Sequence, residues 1–265
     1  MAKLGKQAVG SIVKLNVNGT AANFIVVQQG LPGTMYDASC DGTWLLMEKL
    51  YKSKEWDSTA NDYANSDIHD YLNNTFINLF DDGIKSVIKQ AKIPYTKNGG
   101  RYGVVADGTS GLSTKIFLLS NMEVGFSGEK FHNIEGAVLE YFNGADDSKR
   151  AAMLGYSKSR WWTRSTYASS YDSAIGVYLT GSPSYYDVIE SHGVRPALIL
   201  PGKCGVADNG LIDGTIASGG IRGGVTIGGV QRELTGEGYI NINGVLREIT
   251  DSQVNIGGVL KSTGG

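Results

Sequence analysis

The chain has 265 residues, of which 41% are hydrophobic and 19% charged, a composition typical of a globular protein. Its 24 basic and 26 acidic residues give a net charge of −2 without any run of Lys or Arg, which argues against strong nucleic-acid binding through phosphates. No apolar run approaches the roughly 20 residues of a membrane span, and the start lacks a signal-peptide core, so we expect folding in a cytoplasm.

The first hundred residues predict a strand pair followed by three helices. "SIVKLNV" and "NFIVVQQ" flank an Asn-Gly pair, which is a typical two-residue hairpin turn. Apolar residues at helical spacing predict helices over 41–53, 66–80 and 82–93. Ser66 is expected to cap the second helix, and Pro94 to end the third.

From about Ile93 to Pro201 the pattern changes to short strands and loops. "TKIFLLS", "AIGVYLT" and "VRPALIL" each read as a strand that is wholly or half buried. Strands, helices and then a loop-rich β region do not form a repeating βαβ unit, so the sequence predicts an α+β domain over 1–201.

Glycine marks a boundary, because 17 of the 37 glycines follow Pro201. Residues 202–224 are predicted to be a Gly-rich linker. Residues 225–265 then repeat one pattern three times, at 225–234, 240–249 and 254–263, each centred on Gly-Gly or Asn-Gly. This predicts a small module of β-hairpins. Isolated hairpins are marginal in water, so we expect the module to anchor or oligomerise the chain.

Catalytic and metal-binding motifs are missing from the sequence, so we expect no enzyme and no cofactor. It contains no Walker loop and no Gly-x-Ser-x-Gly elbow. Cys40 and Cys204 lie far apart without ligand spacing and are expected to be reduced thiols. Asp146–Asp147 and the acidic residues of 208–213 leave a structural calcium ion open, although neither follows EF-hand spacing.

Residues 165–191, here called the Tyr/Ser segment, hold five tyrosines among Ser, Ala, Gly and Asp. Antibody paratopes have this composition, because tyrosine offers a large contact area at low entropic cost. We therefore predict a ligand-binding display surface, with a turn-rich β region carrying incidental tyrosines as the alternative. The expected ligand-binding residues are Tyr167, Ser169, Ser170, Tyr171, Asp172, Ser184, Tyr185, Tyr186 and Asp187.

Aromatic and basic residues flank the Tyr/Ser segment and are predicted to form its structural frame. Trp161 and Trp162 are expected to pack in the core, with a stacking platform for a sugar or base as the alternative. Arg164 and Arg195 are expected to hold loops through carboxylate or carbonyl contacts, and a ligand role stays open for them.

Several blocks occurring in order give the chain a family resemblance over residues 8–201. "WDSTANDYANSDIHDYLNNTFINLF", "IKQAKIPY", "KIFLLS", "WWTRS" and "GVRPALILP" resemble a family of phage and prophage proteins from Gram-positive gut bacteria, with a WW-x-RS…GVRPA signature. That family is similar to C-type-lectin-fold proteins that retroelements diversify. The terminal repeats also resemble those that end many phage tail and head-fibre proteins.

The resemblance implies a C-type-lectin-like fold and a place in a virion, made in the bacterial host cytoplasm. The implied function is a non-enzymatic receptor-binding or adhesin-like protein of a tail or head fibre. Its expected partners are a host cell-surface protein or glycan, other virion proteins through the C-terminal hairpins, and further copies of itself, such as in a trimer. The alternative is a structural decoration protein whose Tyr/Ser segment contacts neighbouring subunits. The fold class also includes formylglycine-generating oxidases, but Cys40 and Cys204 match no motif of theirs.

Overall fold

The computed structural model describes residues 1–100, 103–126 and 133–216, together with the backbone of six short strands between 224 and 262. The chain divides into two compact units, Met1–Thr215 and Ile216–Gly265. Among the residues that the structure describes, strands account for 38% and helices for 16%. The structure thus confirms an α+β chain that is mostly β-sheet.

The first unit contains eighteen described strands, most of them short. In chain order they are β1 (Ala2–Lys3), β2 (Ile12–Val17), β3 (Thr20–Gln29), β4 (Thr43–Met47), β5 (Lys52–Glu55), β6 (Ala91–Ile93), β7 (Tyr95–Lys97), β8 (Val104–Ala106), β9 (Leu112–Thr114), β10 (Ile116–Phe117), β11 (Ala152–Leu154), β12 (Ser157–Ser159), β13 (Trp161–Thr166), β14 (Ser173–Val177), β15 (Pro183–Asp187), β16 (Ser191–Val194), β17 (Ala197–Leu200) and β18 (Gly205–Val206).

The helical elements of the first unit are short. They are α1 (Asp67–Asp70), which continues through a π-helical turn (Tyr71–Thr75) into a 3₁₀ turn (Phe76–Leu79), and α2 (Asp82–Val87). Further 3₁₀ turns lie at Leu4–Lys6, Ala38–Cys40, Tyr63–Asn65, Glu140–Phe142 and Asp147–Lys149.

One five-stranded sheet has the order β10-β17-β4-β3-β2. The predicted hairpin of β2 and β3 is confirmed, with Asn18 and Gly19 at φ of 51° and 72° in its turn. β4 and β17 are buried along their whole length, because elements cover both faces of the sheet there. Around them forms the main hydrophobic core, which also contains Trp161 and Val177.

The helix predicted over 41–53 is wrong. Residues of that range form β4 and β5 instead. Trp44, Leu45 and Leu46 are all fully buried, as happens when a strand lies between two others and is covered on both faces. Such a strand has a continuous apolar run, which periodicity cannot distinguish from a buried helix.

The helix predicted over 66–80 is confirmed as a helical stretch, and Ser66 caps it by accepting a hydrogen bond from His69 N at 3.3 Å. The third predicted helix is shorter than expected, since α2 ends at Val87, well before Pro94. Residues after Val87 bond to other strands. Lys89 N donates to Ile199 O (2.9 Å), and β6 pairs with β9.

The second five-stranded sheet, with the order β15-β14-β13-β16-β5, carries the Tyr/Ser segment. Its strands pair antiparallel except for β13 and β16, which run parallel where Trp161 meets Gly193. A bulge interrupts the β13–β14 pairing between Trp162 and Thr166. β15 and β5 form the two edges of this sheet.

Residues 202–215, the first part of the range predicted as a linker, fold with the first unit. β18 pairs with β1, so that Ala2 faces Val206. Lys14 N donates to Gly210 O (2.8 Å), and Ile212 N donates to Lys14 O (2.9 Å). Cys204 and Ile212 are buried. Glycine content alone therefore placed the boundary too early.

In the second unit, three antiparallel strand pairs are described by their backbone alone. They are β19 (Gly224–Ile227) with β20 (Val230–Glu233), β21 (Tyr239–Ile242) with β22 (Val245–Glu248), and β23 (Gln253–Ile256) with β24 (Val259–Ser262). The rest of the range 217–265 lies outside the described residues.

Candidate functional site

The two tryptophans that precede the Tyr/Ser segment are fully buried and face opposite sides of the second sheet. They are neighbours on β13, and successive strand residues point to opposite faces. Trp161 Nε1 donates to Arg150 O (3.0 Å) in the main core. Trp162 Nε1 donates to Lys54 O (2.9 Å). Both indole N–H groups thus donate to protein carbonyls, as is usual for buried tryptophans. The two rings therefore pack in the core and do not form an exposed stacking platform.

Arg195 is buried just before β17. Its Nε and Nη2 donate to Met47 O and Glu48 O, both at 3.0 Å, and its guanidinium lies 5.0 Å from the Trp161 ring centroid. Burial lowers the pKa of Arg195 to about 10, so the side chain is still protonated at neutral pH. Arg195 therefore holds the chain where it leaves β4.

Arg164 is fully buried, and protein atoms accept hydrogen bonds from all of its donor groups. The guanidinium makes a bidentate pair with Glu123, at 2.5 Å from Nη1 to Oε2 and 2.7 Å from Nη2 to Oε1. Its remaining N–H groups reach carbonyls of three separate segments, those of Pro94 (2.9 Å), Leu118 (3.0 Å) and Glu135 (3.3 Å). Burying a cation is tolerable only with such full pairing. Arg164 thus ties β13 to the loops beneath the Tyr/Ser segment.

Glu135 places a second buried carboxyl group near Arg164. Thr96 N donates to it at 2.8 Å, and Ser165 Oγ lies 2.6 Å from its Oε2. Burial raises the pKa of Glu135 above its usual value. Ser165 has one hydroxyl proton but lies within bonding distance of both Glu135 and Asn121 Oδ1 (3.0 Å). A proton on Glu135 satisfies both contacts, because Glu135 then donates to Ser165 and Ser165 donates to Asn121.

Asn61 fixes the loop between β13 and β14 from below. Its buried Nδ2 donates to Ser173 O (2.7 Å) and Ser170 O (3.0 Å), and its backbone N–H donates to Tyr171 O (2.9 Å). Its Oδ1 accepts from Gly100 N (3.0 Å). The side chain and the backbone N–H of Asn61 thus supply hydrogen bonds to three carbonyls of the loop. No local pattern indicates a role for Asn61, because its partners Ser170 and Ser173 lie 109 and 112 residues away.

Most of the predicted ligand-binding residues are exposed or half-buried in the structure. Tyr171 and Tyr185 are exposed over 63% and 54% of their area. The rings of Tyr167 and Tyr185 stack in parallel with centroids 4.2 Å apart. Ser169 and Asp187 are also exposed, whereas Tyr167, Ser170, Asp172 and Ser184 are half-buried. The three accessible rings, Tyr167, Tyr171 and Tyr185, are called the tyrosine surface below.

Tyr186 departs from the prediction, because it is 9% exposed and packs inward. Strand alternation turns it to the face opposite Tyr185. Its ring makes edge contacts with Trp162 (centroids 5.8 Å apart) and His192 (4.3 Å). Gly176 makes room for it, since a Cβ there would lie 3.0 Å from the Tyr186 ring. Tyr186 is therefore part of the frame.

The polar residues of the loop mainly bond to one another. The Ser170 hydroxyl donates to the Asp172 carboxylate, and Asp172 N donates to Ser170 Oγ (3.2 Å). Tyr178, which the sequence left open, is half-buried with the Arg160 guanidinium 5.3 Å from its ring centroid. The Ser170–Asp172 contacts restrain the loop, in which Tyr171 stays exposed.

The acidic residues for which the sequence left a calcium site open accept hydrogen bonds from residues in nearby turns. Asp146 accepts from Ser148 Oγ (2.6 Å), and Asp213 accepts from Thr215 N (2.8 Å). Within residues 1–100, 103–126 and 133–216, no cluster of His, Cys, Asp and Glu has the geometry to hold a metal ion. In the part of the chain that the structure describes, no helix is long and apolar enough to cross a bilayer.

Both cysteines are free thiols, as predicted, and both are buried. Burial raises the pKa of Cys40 and of Cys204 to about 11, so neither is ionised at neutral pH. A thiol becomes nucleophilic when it ionises, so neither thiol is a reactive nucleophile in the folded protein.

Comparison with known proteins gives one match. Residues 41–202 match a family described as a domain of unknown function, DUF6273. No curated protein and no solved structure matches the chain. The matched range runs from just before β4 to just after β17, so it contains the frame and the whole tyrosine surface. It covers more than half of the sequence, and the chain therefore belongs to the DUF6273 family.

Proposed function

We propose that the chain is a receptor-binding, adhesin-like protein of a phage virion, whose first unit has a C-type-lectin-like fold. The tyrosine surface contacts a protein or glycan on the host cell, and the second unit attaches the chain to the virion or to further copies. In this proposal the protein binds and performs no chemistry. The proposed place in a virion rests on the sequence resemblance to phage proteins, and the geometry of the Tyr/Ser segment supports the binding role.

The observation that carries the proposal is the contrast between the tyrosine surface and its support. Tyr171 and Tyr185 are more than half exposed, whereas Trp161, Trp162 and Arg164 beneath them are fully buried. Clustered exposed aromatic rings are typical of interaction sites. A rigid support lowers the entropic cost of binding, because few side chains must be ordered when the partner arrives.

The chemistry of the surface suits recognition. Tyrosine rings bury a large area with few rotatable bonds, and truncating such a ring at an interface centre can cost about 2 kcal/mol or more of affinity. The Tyr/Ser segment also contains Asp172, Asp187 and Glu190 but no Lys or Arg. A ligand bearing hydroxyl, amide or amino groups is therefore favoured over an anionic one.

The test replaces Tyr167, Tyr171 and Tyr185 together by Ser. Because these rings are accessible, we expect the melting temperature to stay near that of the parent and attachment to be lost. Binding of fluorescently labelled full-length protein is measured on a panel of Gram-positive gut bacteria and on a cell-wall glycan array. Tyr156, which is 97% exposed outside the Tyr/Ser segment, provides the matched control as Tyr156→Ser.

Two outcomes would overturn the proposal. In the first, the triple variant unfolds, which would make the three rings part of the core. In the second, the folded triple variant labels cells and glycans as strongly as the Tyr156→Ser control does. That result would favour a decoration protein whose surface faces neighbouring virion subunits.

A further inference from the structure

The two edges of the second sheet differ in how they are protected against pairing with another strand. β5, with the sequence "KSKE", carries Lys52 and Lys54, and charged edge residues of this kind discourage strand addition. β15, with the sequence "PSYYD", carries no Lys or Arg. Among the described strands, only β14 pairs with β15.

Hydrogen bonds at the ends of the β14–β15 ladder show which backbone groups of β15 point outward. At one end Val188 N donates to Asp172 O (2.8 Å). At the other end Tyr178 N donates to Ser182 O (2.8 Å). Bonded and non-bonded pairs alternate along an antiparallel ladder.

The alternation directs Ser184 and Tyr186 towards β14 and turns the backbone of Pro183, Tyr185 and Asp187 away from it. Asp187 O already accepts from Glu190 N (2.9 Å). Proline has no N–H. The groups that remain are Pro183 C=O, both groups of Tyr185, and Asp187 N–H, and no described residue bonds to them.

We propose that this edge pairs with the same edge of a second copy of the chain, antiparallel, about a two-fold axis at Tyr185. The inference goes beyond the proposed function and stands independently of it. The two Tyr185 residues exchange both of their backbone hydrogen bonds. On either side, Asp187 N–H of one copy donates to Pro183 C=O of the other.

The match is complete, which is why a second copy fits better than an arbitrary strand. Asp187 C=O already accepts a hydrogen bond from Glu190 N, so the residue of the second copy that faces Asp187 need not donate an N–H to it. Proline stands at that position and supplies none. All four outward groups of each copy therefore find a partner and none is left over. A closed two-fold contact also ends the sheet, so it does not propagate into a fibre.

Side chains are compatible with this pairing. Asp187 faces the second copy's Pro183, so the two Asp187 residues lie four strand positions apart, about 14 Å at about 3.4 Å per residue. Their repulsion is weak at that separation in water. The Tyr167–Tyr185 stacks of both copies then meet at the axis and form one continuous surface of four rings.

The contact is small, since β15 has five residues and stable interfaces bury about 1,200–2,000 Å². We therefore expect an association that depends on protein concentration. A covalent trap is the suitable test, because residues that form a bonded antiparallel pair have Cα atoms about 5.5 Å apart, within the range that a disulfide spans.

The experiment oxidises full-length Tyr185→Cys under mild conditions and follows dimer formation on non-reducing gels. The native thiols do not interfere, because Cys40 and Cys204 are buried. Tyr171→Cys is the matched control, as Tyr171 is more exposed than Tyr185 but lies off the edge. We expect rapid, concentration-dependent cross-linking of the Tyr185 variant and at least tenfold slower cross-linking of the control. Equal rates, or no covalent dimer, would overturn the proposal.

A second variant tests the backbone bonds themselves. Tyr185→Pro removes an outward N–H without touching the bonds to β14, and Pro183 shows that the strand accepts proline at this parity. Sedimentation at matched concentrations should show fewer subunits than the parent, with an unchanged melting temperature, whereas Tyr185→Thr keeps the parent's assembly. If the folded Pro variant also keeps the parent's subunit number, the edge does not join two copies and is left for a strand of another protein.

Discussion

At the scale of single residues, the two buried glutamates beside Arg164 have different tasks. Glu123 forms a bidentate pair with the guanidinium and accepts a further hydrogen bond from Tyr36 Oη (2.9 Å). Glu135 offers Arg164 only its backbone carbonyl, and its carboxyl group bonds to Thr96 and Ser165. One carboxylate therefore balances the buried cation, while the other is the group whose pKa burial raises.

This difference predicts that replacing the two glutamates by glutamine lowers the free energy of unfolding by different amounts. Glu123→Gln should lower the free energy of unfolding at neutral pH by about 3–5 kcal/mol, because it leaves a buried cation without its partner. Glu135→Gln should cost clearly less, since a neutral side chain suits that site. Urea unfolding of both variants measures the losses, and similar losses would refute the division of tasks.

The pH dependence of stability follows from the same carboxyl group. Because the folded pKa of Glu135 is raised above 4.5, the folded state binds this proton more tightly than the unfolded chain does. The stabilisation from Glu135 is complete below pH 4.5 and is lost as the pH rises through the folded pKa. Unfolding curves at several pH values should therefore show the parent losing stability relative to Glu135→Gln as the pH rises. A constant difference would contradict the raised pKa.

At the scale of elements, the Tyr/Ser segment is a hairpin and a loop held by a distant side chain. β14 and β15 form the hairpin, and Asn61 supplies the hydrogen bonds that close the loop before it. Without the Asn61 side chain, Ser170 O would lose the bond from Nδ2, and Ser173 O would keep only the bond from Tyr167 N (3.0 Å). A missing partner for a buried polar group costs about 1–3 kcal/mol.

Asn61→Ala should therefore destabilise the first unit by about 1–3 kcal/mol and loosen the loop. Hydrogen exchange of the Tyr167 and Ser170 amides, which bond within the loop, should accelerate. Asn65→Ala is the control, because Asn65 is exposed and bonds only to the nearby Asp62 (2.8 Å). Unchanged exchange at Tyr167 and Ser170 would mean that the loop holds its shape without Asn61.

Element prediction from the sequence succeeded where the signal is local. The Asn-Gly turn of β2–β3 and the Ser66 cap depend on neighbouring residues, so the pattern contains them. β4 was mistaken for a helix because its apolar run reflects burial between β3 and β17, which is set by a strand some 150 positions later. Composition indicates the Tyr/Ser segment as the candidate site, and its binding role stays a prediction. The inward orientation of Tyr186 could not be predicted from the sequence. It depends on which face of β15 each residue occupies, and only the pairing of β15 with β14 determines that.

At the scale of the whole molecule, the boundary between the units decides where the chain can be divided. The first unit extends to Thr215, and β18 with the residues after it bonds to β1 and to Lys14. The glycine content after Pro201 had suggested an earlier end. Cutting there removes Cys204 and Ile212 from the buried interior.

A chain ending at Thr215 should melt at the temperature of the first unit in the full chain, whereas one ending at Pro201 should melt several degrees lower. Sedimentation should also show fewer subunits for the Thr215 chain than for the full chain, because the three strand pairs are expected to associate. Calorimetry and sedimentation measure the two effects. Equal melting of both truncated chains would place residues 202–215 outside the cooperative unit, and an unchanged subunit number would remove the assembly role of 216–265.

The pairing of early strands with late ones also governs when the protein can fold during its synthesis. β4 pairs with β17 and β5 pairs with β16, so neither five-stranded sheet is complete until residues beyond 190 have left the ribosome. β1 likewise cannot pair until β18 has been synthesised. Contacts so distant in sequence form slowly, because a long loop must close before any of them is gained. Throughout that interval the apolar strand "TWLLM" lacks its cover. We therefore expect this strand to be one of the apolar segments that a chaperone protects during synthesis.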